Sequence, residues 1–207
     1  MTLVKICGIT NLEDAMAAVD AGADALGFNF YRASPRYISP AAVRGITNRL
    51  PPSVLKVGVF VNEEPQSVLN VLAEANLSAA QLHGDESPDY CRQLGGLYVI
   101  KAFGATNQLD WSVVERYDVD AIMLDAKDDL LRGGTGRVFE WSIAQRANKP
   151  AARLFLAGGL SPENVATAIT TVRPYAVDAC SSLEEKPGQK NHERVRAFIN
   201  AVRKVET

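Results

Sequence analysis

Val4-Lys5-Ile6-Cys7-Gly8-Ile9-Thr10 runs from a short β-branched strand into a glycine turn and leaves a thiol, Cys7, where the strand ends. A second apolar run, Ala121-Ile122-Met123-Leu124, ends in the same way on the carboxylate of Asp125. Outward from these two, strand-like runs start near Leu3, Asp24, Leu55, Ala79, Leu97, Asp120, Arg153 and Tyr175, with helical segments between them. Strands alternating with helices imply parallel pairing through right-handed crossovers. A six-stranded doubly wound sheet shares that alternation, but eight units in 207 residues fit a closed α/β fold better: a (β/α)8 TIM barrel in which residues 1–207 form a single domain. In a parallel sheet the strand ends bearing Cys7 and Asp125 open on one face, where barrels of this kind bind ligands.

The totals exclude several classes. A chain with 47% hydrophobic and 22% charged residues is neither disordered nor membranous in composition. Its net charge of −2, with no basic block, lacks the electrostatic footprint of a nucleic-acid binder. MTLVKICGIT has no charged, apolar and small-residue sequence of regions that marks a secretory signal, so a cytoplasmic protein is expected. Cys7, Cys91 and Cys180 are odd in number and far apart, with no paired spacing that suggests zinc or a dithiol centre.

Helix starts are marked chemically. Asn11 is placed to cap a helix with Glu13 and Asp14 in its first turn and Gly22 just past its end. Ser39-Pro40, Glu64-Pro65, Ser87-Pro88 and Ser161-Pro162-Glu163 each put proline at a first helical position, where its missing N–H is no loss. Residues 29–39, 125–140 and 181–191 are too long or too polar for tight turns. All follow strands, so they are expected to rise from the binding face.

Individual residues admit two readings. Cys7 is either a small buried hydrophobe or a reactive thiol, and Lys5, on the same side of an extended strand, can lower its pKa if close. Asp125 and Asp178 end strands six and eight as either ion-pair members, with Lys127 or Lys101 as partners for Asp125, or functional acids. Cys91 and Cys180 read as packing, and Asp24 and Asp120 as strand-start residues on the opposite face. His83 is a base or a hydrogen-bonded structural histidine, and His192 a surface or capping residue. Arg36 can fork onto a substrate carboxylate or simply lie in solvent. Arg132-Gly133-Gly134-Thr135-Gly136-Arg137 reads as a lid. Gly158 and Gly159, after strand seven, together with Ser181 and Ser182, after strand eight, suit a phosphate cradle of backbone N–H groups.

Taken together, the segments Val4–Thr10, Gly27-Phe28-Asn29-Phe30, Ser34-Pro35-Arg36-Tyr37-Ile38, Gln81-Leu82-His83-Gly84, Leu124-Asp125, Phe139-Glu140-Trp141 and Ala157-Gly158-Gly159-Leu160 resemble the N-(5'-phosphoribosyl)anthranilate isomerase family along almost the whole chain. The resemblance implies Cys7 as general base, Asp125 as general acid and Arg36 as holder of the anthranilate carboxylate. It also implies a ribose-phosphate site at Gly158, Gly159, Ser181 and Ser182. The implied partner is a small phosphosugar, with no metal or organic cofactor, no nucleic acid and no membrane, the chain acting as monomer or homodimer. One position departs from the pattern: Ser182 stands where the family has glycine, and if that glycine takes a positive φ the serine is expected to strain the loop. A catalytically silent phosphate-binding barrel and a related phosphosugar lyase or synthase are the competing readings.

Overall fold

The computed structural model describes residues 1–106, 109–126, 141–145 and 153–205. Strands and helices alternate as β1 (Leu3–Ile6), α1 (Leu12–Asp20), β2 (Ala25–Asn29), α2 (Pro40–Thr47), β3 (Leu55–Phe60), α3 (Pro65–Glu74), β4 (Ala79–Leu82) and α4 (Pro88–Gln93). The second half continues with β5 (Tyr98–Ala105), α5 (Trp111–Val114), β6 (Ala121–Ala126), α6 (Ser142–Gln145), β7 (Arg153–Leu156), α7 (Val165–Val172), β8 (Ala176–Ala179) and α8 (His192–Lys204). Each strand pairs in parallel with the next, and β1 closes on β8 through Leu3↔Ala176, Lys5↔Asp178 and Ile6↔Ala179. The expected (β/α)8 barrel is therefore the observed one. Among the described residues no helix is long and apolar enough to cross a membrane.

The two-residue alternation of a strand sorts the core into two layers. Ala25, Val57, Ile100, Met123 and Phe155 fill the barrel, while Val4, Leu26, Phe28, Leu124 and Val177 face the helices. Along β1 the inward side reads Leu3, Lys5 and then Cys7; along β8 it reads Ala176, Asp178 and then Cys180. A lysine within this apolar interior needs a counter-charge, and Lys5 Nζ finds Asp178 Oδ1 at 2.8 Å with the lysine fully buried. Burial pulls the Lys5 ammonium down, but Asp178 and Cys7 outweigh it and hold the lysine above its ordinary value. Burial pushes the Asp178 carboxyl up to about 6, with Lys5 pulling the other way.

Most helix starts behave as read. Asn11, Ser39 and Ser87 accept hydrogen bonds from the backbone N–H groups of Asp14, Ala42 and Tyr90. Glu64 makes no side-chain cap, so proline alone marks that start. The seventh start is later than expected. Asn164 accepts from Ser161 N at 2.9 Å and donates to Gly159 O at 2.9 Å, which keeps residues 162–164 in a turn and delays α7 to Val165.

The strand-start aspartates do stabilise the far end of the barrel. Asp24 accepts from Val4 N at 2.8 Å and pairs with Arg203, which also donates to Thr2 O at 2.9 Å; Asp120 accepts from Val99 N at 2.8 Å. Four strands begin one residue later than the sequence suggests, at Ala25, Tyr98, Ala121 and Ala176. At two of them the aspartate just before the strand, Asp24 or Asp120, turns its side chain to the neighbouring strand's backbone.

Residues 181–191, read as an open loop, are folded. A 3-10 turn, Ser181–Leu183, leads into an antiparallel hairpin of β9 (Glu184–Lys186) and β10 (Gln189–Lys190). The proposed lid at 132–137, Phe139, Glu140 and Lys127 lie outside the described residues.

Breaking the buried pair tests its weight. Lys5→Met is expected to cost about 3–5 kcal/mol in urea unfolding, because it strands a buried carboxylate. The double replacement Lys5→Met with Asp178→Leu should recover most of that loss, and a double variant no more stable than the single would sink the account.

Candidate active site

Cys7 lies one residue beyond β1 on the inward side, 8% exposed at the mouth of the barrel. A Cβ at residue 27 would stand 2.7 Å from its sulfur, so glycine in β2 is what makes room for the thiol. Three neighbouring groups set its charge. The neighbouring Cys180 thiol is the largest influence holding Cys7 well below its ordinary pKa; burial opposes this, and Lys5 and Lys190 add to it. Cys180 is driven well above its ordinary value by Cys7 and by burial. Cys180 is thus not mere packing. Cys91 is, since it sits on the buried face of α4 and burial pushes its thiol up to about 11.

Asp125 takes the corresponding place in β6, and Lys101 is not its partner. Lys101 points the other way and is held by Glu86 at 3.0 Å and by the carbonyls of Leu82, Gly84 and Ala102. Instead His83 Nε2 lies 3.2 Å from Asp125 Oδ2, while His83 Nδ1 accepts from Gln81 Nε2 at 2.9 Å. That arrangement puts the imidazole hydrogen on Nε2, the nitrogen beside the carboxylate. Gln81, His83 and Asp125 alternate inward on β4 and β6, which the two-residue period explains.

A cleft beside Asp125 is lined by Gly158, Gly159, Ser181 and Ser182. Gly158 has φ +83°, and a Cβ there would stand 2.3 Å from Ala126 N; backbone this close to β6 leaves no space for a side chain. Ser182 Oγ donates to Leu160 O, tying the seventh loop to the eighth. A wider groove of about 730 Å³ runs outside the hairpin past Asn11, Asp14 and His192, but neither Cys7 nor Asp125 reaches it.

Arg36 is not in open solvent. The loop after β2 folds back through Ile38 N to Asn29 O at 3.1 Å, and Arg36 forks onto Glu184, with Nε 2.9 Å from Oε1 and Nη2 2.7 Å from Oε2. The same carboxylate accepts from Lys190 Nζ at 3.0 Å and Gly188 N at 3.3 Å. Burial favours a protonated Glu184, yet Arg36 and Lys190 hold its carboxyl below the usual range.

A thiol held below its ordinary pKa and a carboxyl group therefore share one barrel mouth with a glycine bend and a basic cluster. The family model for N-(5'phosphoribosyl)anthranilate (PRA) isomerase matches residues 4–201. The chain belongs to that isomerase family. An N-(5'-phosphoribosyl)anthranilate isomerase of Trichlorobacter lovleyi is 50% identical over 199 residues, covering 96% of this chain and 97% of the relative. The crystal structure of phosphoribosyl anthranilate isomerase from Thermotoga maritima superposes with a TM-score of 0.93 at 46% identity, over 99% of this chain and all of the other. A phosphoribosyl anthranilate isomerase solved with reduced 1-(o-carboxyphenylamino)-1-deoxyribulose 5-phosphate gives a TM-score of 0.89 at 45% identity, again over 99% of this chain and all of the other.

Against the isomerase pattern, Ser182 does not strain its loop. It sits in the 3-10 turn and is not among the residues of positive φ. Its hydroxyl hydrogen goes to Leu160 O, so it is not the extra phosphate donor that a serine there suggests. Sequence reasoning missed Cys180 and Lys190, although the spacing of Asp178 and Cys180 already puts both on one face of a strand. His192 is a partner rather than a free surface group: its Nε2 meets Asp14 Oδ1 at 2.8 Å.

Gly158→Ala is the sharpest probe of the bend. We expect a loss on the order of 1–3 kcal/mol in chemical denaturation from φ strain alone. Calorimetric titration with inorganic phosphate should show weaker binding, and unchanged stability and binding would show that the bend tolerates a side chain.

Proposed function

We infer that this chain catalyses the Amadori rearrangement of N-(5-phospho-β-D-ribosyl)anthranilate to 1-(2-carboxyphenylamino)-1-deoxy-D-ribulose 5-phosphate, a step of tryptophan biosynthesis. The observation that carries the reading is a thiol held below its ordinary pKa on one strand end, with a carboxylic acid on another strand end of the same mouth. Opening the furanose needs a proton on the ring oxygen while the anthranilate nitrogen pushes electrons toward C1'. Asp125 delivers it. His83, whose Nε2 lies 3.2 Å from the same carboxylate, orients that group.

The Schiff base so formed acidifies the hydrogen on C2'. Cys7, as thiolate, removes it to give an enolamine, and tautomerisation yields the ketose. Neither step requires a metal or an organic cofactor. The substrate's two anions hold the reacting carbons between acid and base. The phosphate lies against the backbone N–H groups at Gly158, Gly159, Ser181 and Ser182. The anthranilate carboxylate lies against Arg36, on the side away from Glu184. With Lys190 included, two cations face one buried carboxylate, so this cluster keeps a net positive charge for the substrate's anion. We read residues 1–207 as one domain, since the first and last strands must meet for the site to exist, and we place the enzyme in the cytoplasm.

The test follows fluorescence loss of freshly prepared phosphoribosylanthranilate. Wild type should consume it rapidly, and Cys7→Ala and Asp125→Ala should each fall about 100-fold or more in kcat. Arg36→Met should act mainly on KM. No turnover by folded wild type would leave the barrel as a phosphate-binding protein without this chemistry.

A further inference from the structure

The β1–β8 seam sets two thiols side by side. Ile6 pairs with Ala179, and Cys7 N donates to Ala179 O at 2.9 Å, so the next positions along the two parallel strands are Cys7 and Cys180. Both side chains fall on the inward side by strand alternation.

Their surroundings differ in sign. Lys5, two residues before Cys7 on the same face, pairs with Asp178, and its Nζ and the Cys7 sulfur border the same space, 3.1 and 2.7 Å from where a Cβ at residue 27 would stand. Cys180 Sγ instead lies 3.9 Å from Glu184 Oε1. Lys190 Nζ approaches Cys180 Sγ at 3.8 Å, but that same carboxylate holds it more closely, at 3.0 Å. The Glu184 carboxylate thus stands against Cys180 and disfavours a negative charge there, with Lys190 taken up by that carboxylate. The hydrogen of the pair therefore belongs on Cys180 and the negative charge on Cys7.

We propose that Cys180 is a positioning residue for the isomerisation: its S–H donates to the Cys7 sulfur, keeps it a thiolate and aims it at the C2' hydrogen. The proposal rests on Cys7 being the base. The charged groups that face the pair are Lys5 and Asp178 inside the barrel, Arg36 from the loop after β2, and Glu184 and Lys190 from the hairpin. Asp178 is the member that opposes a thiolate at Cys7, and it is neutralised by Lys5. In the reaction the proton moves from C2' to the Cys7 sulfur, whose electron pair takes it, and Cys180 keeps its own hydrogen throughout.

Removing the donor should shift Cys7 toward an ordinary thiol, so less of it is ionised at any mildly acidic pH. The experiment measures iodoacetamide alkylation of each cysteine against pH, resolved by peptide mass spectrometry, in wild type, Cys180→Ser and Cys180→Ala. The same three proteins supply the acid limb of kcat/KM. In wild type, Cys7 should alkylate at a pH where Cys180 and Cys91 stay unmodified. In Cys180→Ala, the Cys7 alkylation curve and the acid limb should move together to higher pH, with the rate at mildly acidic pH falling several-fold and KM little changed. Cys180→Ser, which keeps a donor, should lie nearer wild type. Curves that coincide in all three proteins overturn the proposal, as does wild-type Cys180 alkylating before Cys7. If the alanine variant fails to fold, the wild-type order of alkylation and the serine variant still decide. A shifted alkylation curve in a protein without turnover would overturn the isomerase reading while upholding the thiol pair.

Discussion

Lys5 and Asp178 face each other across the one seam where the barrel must close on itself, and the site is built around that contact. A lysine inside an apolar barrel is tolerable only with its counter-ion in place, so the pair penalises any slip of β1 against β8. A slip of one residue would turn Lys5 outward and carry Cys7 away from the mouth. Register, charge and catalysis are thus one constraint. The same lysine then serves the thiol two residues further along its strand, which makes a structural ion pair part of the electrostatics of the base.

A second cluster, on the rim, has the opposite character. Glu184 gathers Arg36, Lys190 and the backbone of Gly188, and Thr10 donates to Gly188 O. Loops after β1, β2 and β8 are joined through the hairpin, so its five strand residues act as a clamp rather than a decoration. Across the mouth, Ser182 bonded to Leu160 O does the same for the seventh and eighth loops. Between these clamps the glycine bend at 158 and the acid at 125 are held at fixed depth.

The architecture was readable because its signals are local. Period-two alternation, proline at first helical positions and the caps at Asn11, Ser39 and Ser87 each depend on a few neighbouring residues. Cys7 and Asp125 were visible as strand-end groups for the same reason. What escaped notice depends on pairing across the chain. Asp125 meets His83, 42 positions earlier, and Cys180 comes beside Cys7 only once β8 lies against β1. The hairpin at 184–190 is too short and too polar to show a strand pattern; Arg36, Thr10 and Asp14 hold it from outside. The delayed start of α7 follows from Asn164 turning back to Gly159, a competition between side chain and backbone that a proline count does not register.

At the far end of the barrel Arg203 reaches from the last helix to Thr2 O, Gly22 O and Asp24. The beginning and end of the described chain are thereby neighbours in space, joined by a guanidinium rather than by peptide. Where the polypeptide happens to be cut is incidental to the closed ring of strands. Linking residues 2 and 203 through a short spacer and opening a loop on the far face of the barrel from the chemistry would leave every pairing, and the thiol seam with it, in place.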